Sequence, residues 1–183
     1  PIPDLNLGIG SGGHGATTGR MLCGIEEAIL SQKPDIMLVY GDTNSTLAGA
    51  LVASKLHIPV AHVEAGLRSF MMIMPEEQNR RLTDHLSTWL LCPTTTAIEN
   101  LAKEGIVDSA KTRPDPDNKM VALVGDLMYE ASRHYRKVAQ PSAALSGCFD
   151  RPFALLTIHR AENTDDSSRL ESIVDGINAV PDI

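Results

Sequence analysis

Short uninterrupted apolar runs take turns along this chain with longer stretches whose apolar residues recur at helical spacing. Residues 36–40, 58–63, 89–92, 120–124 and 153–158 are such runs, and their continuity predicts strands of a sheet buried on both faces. Between them, 17–32, 46–56, 76–87, 94–104 and 126–138 predict helices, several opened by Thr, Asp or Pro, and a further helix is expected over 166–179. Strand and helix in alternation predict an α/β fold built on a parallel, doubly wound sheet.

Two polar stretches interrupt this rhythm. The prolines and aspartates of 111–118 mark a loop, and 140–151, with Pro141, Ser142, Ser146 and Gly147, has the composition of a linker. The expected organisation is a partial N-terminal domain over 1–140, a linker at 141–152 and the start of a second domain over 153–183. One strand and one helix after the linker cannot make a core. The opening Pro1-Ile2-Pro3-Asp4 has neither an initiator Met nor a leader-like apolar region. The chain is therefore expected to be truncated at both ends.

Composition narrows the function classes. The 183 residues are 43% hydrophobic with a formal net charge of -7, as in a soluble globular protein. No apolar run approaches the roughly 20 residues of a membrane helix, so no membrane partner is expected. The acidic balance argues against nucleic acid, which is usually met by a basic stripe. An anionic small ligand remains compatible with a few locally placed cations. Cys23, Cys92 and Cys148 are widely spaced and have no His at metal-ligand spacing, which predicts neither disulfides nor a metal site and suggests a reducing, cytoplasmic setting.

Gly8, Gly10 and Gly13 match GxGxxG. Asp42, however, lies well beyond the roughly 20-residue position at which a dinucleotide fingerprint places its acid. The stretch reads better as a strand-to-helix turn, with His14 equally suited to a ligand or to solvent. No cofactor is expected.

Loops at the carboxyl ends of strands line the ligand crevice of an open α/β sheet, and three acids fall there. Asp42 sits in Gly41-Asp42-Thr43-Asn44; Thr43, Asn44 and Ser45 can cap the next helix, which favours a functional reading of the acid. Glu64 precedes Gly66 and Arg68, and an ion pair with Arg68 four residues on would need a helix that Ala65-Gly66 disfavours. Glu76 and Glu77 follow Pro75, in a helix first turn that suits acids generally; this accounts for Glu77 more readily than for Glu76. Arg80, Arg81 and Asp84 read mostly as a solvated face. The apolar loop 70–74 reads as core by default, with a lid or subunit contact as alternatives. His159-Arg160, at the end of the last predicted strand, suits an anionic leaving group such as a diphosphate. A solvated turn closed by Asn163 and Thr164 is the plainer reading.

Taken in order, Gly41-Asp42-Thr43, His62-Val63-Glu64-Ala65-Gly66-Leu67-Arg68-Ser69, Met74-Pro75-Glu76-Glu77-Gln78-Asn79-Arg80 and Thr157-Ile158-His159-Arg160-Ala161-Glu162-Asn163 resemble the non-hydrolysing UDP-N-acetylglucosamine 2-epimerases. The similarity runs through nearly the whole chain, including Pro93-Thr94 and Val124-Gly125-Asp126. It implies two Rossmann-like domains in the GT-B arrangement, the second cut short here, and interconversion of UDP-GlcNAc and UDP-ManNAc for envelope polysaccharides. It also implies a homodimer when full length. On this resemblance Asp42, Glu64, Glu76 and His159 are the expected catalytic residues. His14, Gly41, Arg68, Arg80, Arg160, Glu162 and Asn163 are expected to bind substrate. Met71, Met72 and Gln78 depart from the family pattern, and the Gly-Thr-Arg-Pro-Glu loop of the family's first strand is absent. A GT-B glycosyltransferase and a non-catalytic sugar-nucleotide-binding fragment are the competing readings.

Overall fold

The computed structural model describes every residue except 1, 11, 110–112, 141, 146, 149, 151, 152 and 181–183, and omits the side chains of 144 and 161. Its contacts divide the chain into two compact units, 1–133 and 134–183.

In the first unit, β1 (Met37–Tyr40), β2 (Val60–Val63), β3 (Trp89–Cys92) and β4 (Met120–Leu123) form a four-stranded parallel sheet in the order β1-β2-β3-β4. The connecting helices are α2 (Asn44–Lys55), α3 (Pro75–Leu86) and α4 (Thr95–Lys103); α1 (His14–Gln32) precedes β1. Local chemistry explains where they start. The Thr43 and Thr94 hydroxyls accept from Thr46 N–H and Ala97 N–H, and Pro75 occupies the first position of α3, where its missing N–H costs nothing. The α/β class and the parallel sheet are as the alternation predicted.

Register and alternation place Met37, Val39, Val60, His62, Leu90 and Val121 on one face of the sheet. Val39 and Val60 pack with Ile29, Ala50, Val52 and Ala53, while Leu90 and Cys92 pack with Ala97, Leu101 and Ile106. A strictly sequential order with right-handed crossovers carries each connecting helix to the same side, which is why these clusters share a face. The expectation of strands buried on both faces holds for β2 and must be corrected for β1 and β4. On the reverse face Leu38 and Tyr40 are 48% and 58% exposed, because β1 stands at the edge of the sheet and among the described residues pairs with β2 alone.

The helix expected over 126–138 is α5 (Leu127–Tyr135), which runs across the division between the units. The second unit contains a 3-10 turn (Ala143–Leu145), α6 (Ala161–Thr164) and α7 (Ser167–Asn178), with α7 capped by Asp166 and packed on α6. The run 153–158 forms no strand, contrary to expectation. A strand needs a ladder partner, and none exists among the described residues of this unit. Among the described residues no helix is long and apolar enough to cross a membrane.

Candidate functional site

At the carboxyl ends of the strands a cavity of about 180 Å³ is lined by Tyr40 and Gly41 after β1, Val63 and Glu64 after β2, Pro93 after β3, and Gly125 to Met128 after β4. Gly41 has φ +66°, and a side chain there would sit 3.4 Å from Glu64 Oε2. Glycine thus serves the turn, whose left-handed backbone other residues adopt only with strain. Glu64 itself has φ +76°. A non-glycine residue in that region stores on the order of 1–3 kcal/mol of strain and persists only where its surroundings fix it. Here the Glu64 and Ala65 N–H groups both donate to Leu91 O, at 3.1 and 3.2 Å.

The electrostatics centre on Glu64. Burial pushes its carboxyl above the ordinary value, and repulsion from Asp42 and then Asp126 pushes it further; His62 and Arg80 oppose this. Asp42 has the opposite environment. Its Oδ2 accepts from Arg80 Nη2 at 2.6 Å, a pair in which the Arg80 side chain is 13% and the Asp42 side chain 36% exposed. Two neighbouring carboxyls are thereby made unlike: one inclined to keep a proton, one paired to a cation. Such a pair suits acid and base roles at one small centre.

A hydrogen-bonded network extends the site towards α1. Asn79 Nδ2 donates to Asp42 O at 2.9 Å and to Asn44 Oδ1 at 3.1 Å, and Asn44 Nδ2 lies 3.2 Å from His14 Nδ1. His14, the first residue of α1, is exposed at the end of this chain of contacts. Leu5 to Leu7, before the glycine loop, form no strand, so the strand-to-helix turn expected there is an irregular segment leading into α1.

Beneath the crevice runs a buried ionic ladder. His62 Nε2 lies 2.8 Å from Gly41 O and Nδ1 lies 2.7 Å from Asp84 Oδ1. Asp84 Oδ2 accepts from Gly66 N–H at 3.2 Å and Arg68 Nη1 at 2.7 Å. Arg68 continues to Glu104 through Nε and Nη2, at 2.9 and 2.7 Å.

These placements correct several expectations. Arg68, expected to bind substrate, has a fully buried side chain locked between Asp84 and Glu104, so it braces the loop rather than facing the crevice. Asp84 is fully buried rather than solvated, and Arg80 is committed to Asp42. Glu77 is not a surface acid of the helix first turn: it is fully buried, and Oε2 accepts from Ser69 N–H at 2.8 Å and lies 3.0 Å from Ser69 Oγ. Phe70 and Ile73, expected in the core, are 69% and 83% exposed. Glu76 is exposed on the first turn of α3, one turn before Arg80, whose Nε donates to Glu76 O.

His159, Arg160, Glu162 and Asn163 belong to the second unit. The first three are exposed, Asn163 is half-buried, and the Asn163 N–H donates to Arg160 O at 2.8 Å. The structure adds Asp126, Asn79 and His62 to the candidates. Asp126 follows an apolar run just as Asp42 does, the signal by which sequence reasoning could have found it. Among the described residues no group of His, Cys, Asp or Glu is arranged to hold a metal ion.

The family model for UDP-N-acetylglucosamine 2-epimerase matches residues 1–183. The chain belongs to this family. Its relatives include a UDP-N-acetylglucosamine 2-epimerase of Methanocaldococcus jannaschii, 49% identical over 188 residues, covering 100% of this chain and 49% of that protein. A UDP-2,3-diacetamido-2,3-dideoxy-D-glucuronate 2-epimerase of Pseudomonas aeruginosa is 52% identical over 180 residues, covering 98% and 48%. The crystal structure of the M. jannaschii UDP-GlcNAc 2-epimerase in complex with UDP-GlcNAc and UDP superposes with a TM-score of 0.82 at 49% identity, over 97% of this chain and 47% of that one. The chain thus spans about half the length of the curated relatives it matches.

Proposed function

We propose that this chain carries the catalytic carboxylates of an epimerase that inverts C2 of a UDP-linked 2-acetamido sugar, with UDP-GlcNAc and UDP-ManNAc as the interconverting pair. The observation that carries the reading is the unlike pair at the crevice, Glu64 held towards its protonated form and Asp42 paired to Arg80, in a member of this family.

The chemistry asks for such a pair. The C2 proton has no adjacent carbonyl to acidify it, so simple abstraction near neutral pH is not feasible. Removing that proton while the C1–O bond breaks, its electron pair leaving with UDP, gives a 1,2-unsaturated glycal. Re-addition of UDP at C1 with protonation of C2 from the opposite face completes the inversion. Asp42, Glu64 and Glu76 share the proton transfers and offset positive charge at C1. His14, Gly41 and Arg80 serve substrate contact or orientation. His159 and Arg160 receive the diphosphate, and Glu162 and Asn163 serve other substrate contacts. No cofactor or metal enters this scheme.

The complete enzyme, in this reading, is a homodimer of two-domain GT-B subunits, with 1–140 and 153–183 contributing to different domains across a linker at 141–152. A cytoplasmic setting agrees with Cys23, Cys92 and Cys148 all being unpaired. A second substrate, a UDP-linked 2,3-diacetamido uronic acid, is supported by the 52% identity to the P. aeruginosa relative.

Proton NMR in deuterium oxide of a full-length version that contains this chain tests the reading. Deuterium entering C2 of UDP-GlcNAc, and lost with Asp42→Asn, supports it; label entering only the diacetamido uronic acid supports the second substrate. A product that requires an added acceptor indicates a glycosyltransferase. Chemical-shift changes without reaction indicate a binding fragment.

A further inference from the structure

His62 is fully buried, and its two ring nitrogens face a backbone carbonyl and a carboxylate. A neutral imidazole donates from one nitrogen and accepts at the other. Either neutral tautomer would therefore point a lone pair at Gly41 O or at Asp84 Oδ1, in a place with no room for water to intervene. A proton moved from the ring to Asp84 would relieve one contact. It would do so at a carboxylate whose other oxygen already receives Gly66 N–H and the Arg68 guanidinium, both of which favour the ionised acid. The arrangement that satisfies every contact is a ring with hydrogens on both nitrogens. Burial of that charge is offset along the ladder, where His62 and Arg68 face Asp84 and Glu104.

We propose that His62 is a buried, doubly protonated positioning residue: it anchors the Gly41 carbonyl and presents positive charge behind the Glu64 carboxylate. The anchored peptide is the one at which the chain turns with φ +66° into Asp42. One side chain therefore governs the direction in which Asp42 leaves β1 and the field felt by the acid after β2. Among the described residues, the ring faces Asp84 from α3 and the Gly41 carbonyl after β1, Arg68 after β2 lies on the other oxygen of Asp84, and Glu64 at the end of β2 feels the charge of the ring. Lys119 donates to His85 O at 2.9 Å and to Ser87 O at 2.6 Å, at the end of α3. Of the charges acting on Glu64, His62 and Arg80 favour its ionised form and Asp42 and Asp126 oppose it.

The proposal deepens the epimerase reading, because Glu64 is the group acted upon, but it is tested on the side chains themselves and so stands or falls separately. Nitrogen-15 NMR of the histidine side chains in the unmodified chain at neutral pH is expected to show a hydrogen on both His62 nitrogens. A ring with one bare nitrogen at neutral pH overturns the proposal. In His62→Gln, carbon-13 NMR of the Glu64 carboxyl should show its midpoint moved to higher pH. The Gly41 and Asp42 amide signals should shift, while those of α4 stay in place. A folded His62→Gln chain with an unmoved Glu64 midpoint also overturns it, and if that variant does not fold, the measurement on the unmodified ring decides.

Discussion

Arg80 Nη2 lies 2.6 Å from Asp42 Oδ2, tying the second turn of α3 to the loop after β1. This contact joins two segments distant in sequence next to Gly41, which lines the crevice.

Arg80→Met should disturb the site far more than the fold. The pair is partly solvated, so unfolding in urea should show a loss of no more than about 1 kcal/mol. The Glu64 midpoint should move to still higher pH, because Arg80 is one of the cations that lower it. Carbon-13 NMR of the carboxyl reads the shift directly.

Glu76 and Glu77 should behave oppositely although they are adjacent. Glu76→Gln changes an exposed side chain, so stability should stay within about 0.5 kcal/mol while deuterium incorporation at C2 is lost. Glu77→Ala strips the acceptor from the half-buried Ser69 N–H and should cost about 1–2 kcal/mol in denaturant unfolding.

Gly66→Ala should be among the most damaging single changes. Gly66 has φ +79°, and an added methyl group would overlap the backbone carbonyl of Ala97 in the first turn of α4. Left-handed strain and backbone overlap together should cost on the order of 3 kcal/mol or more, seen as a lowered denaturation midpoint.

The Arg68–Glu104 contact predicts an acid limb of stability. Hydrogen bonding to Arg68 holds the Glu104 carboxyl below its ordinary value of 4.5, with burial acting the other way. A depressed carboxyl contributes stability that is complete above the unfolded value and disappears as pH falls through the folded one. Thermal unfolding should therefore show stability falling below about pH 4.5, and Glu104→Gln should flatten that fall. Arg68→Met, which takes the guanidinium from the buried Asp84 and leaves it facing His62 alone, should cost about 3 kcal/mol at neutral pH.

The sheet and its helices are legible because alternation is a local signal: the apolar run 89–92 is β3, and the helical spacing of 76–87 falls on α3 (Pro75–Leu86). The run 153–158 shows the limit of that signal. Its apolar continuity is real, but a strand exists only where another chain segment offers a ladder. The order of the strands, sequential and hence with helices gathered on one face, is likewise a property of pairing and not of any single run.

For the site, the sequence by itself determined that Asp42 and Glu64 would stand at strand ends, because each follows an apolar run that the parallel sheet must bury. Tertiary structure alone decided what surrounds them. It set Asp126 against Glu64 and Arg80 against Asp42, and it made buried braces of Arg68, expected to bind substrate, and of Asp84 and Glu77, expected at the surface. The reason is physical: a charged residue declares its type in the sequence, but its partner and its burial are fixed only when distant segments pack together, and these decide whether the charge faces solvent, a substrate or another charge.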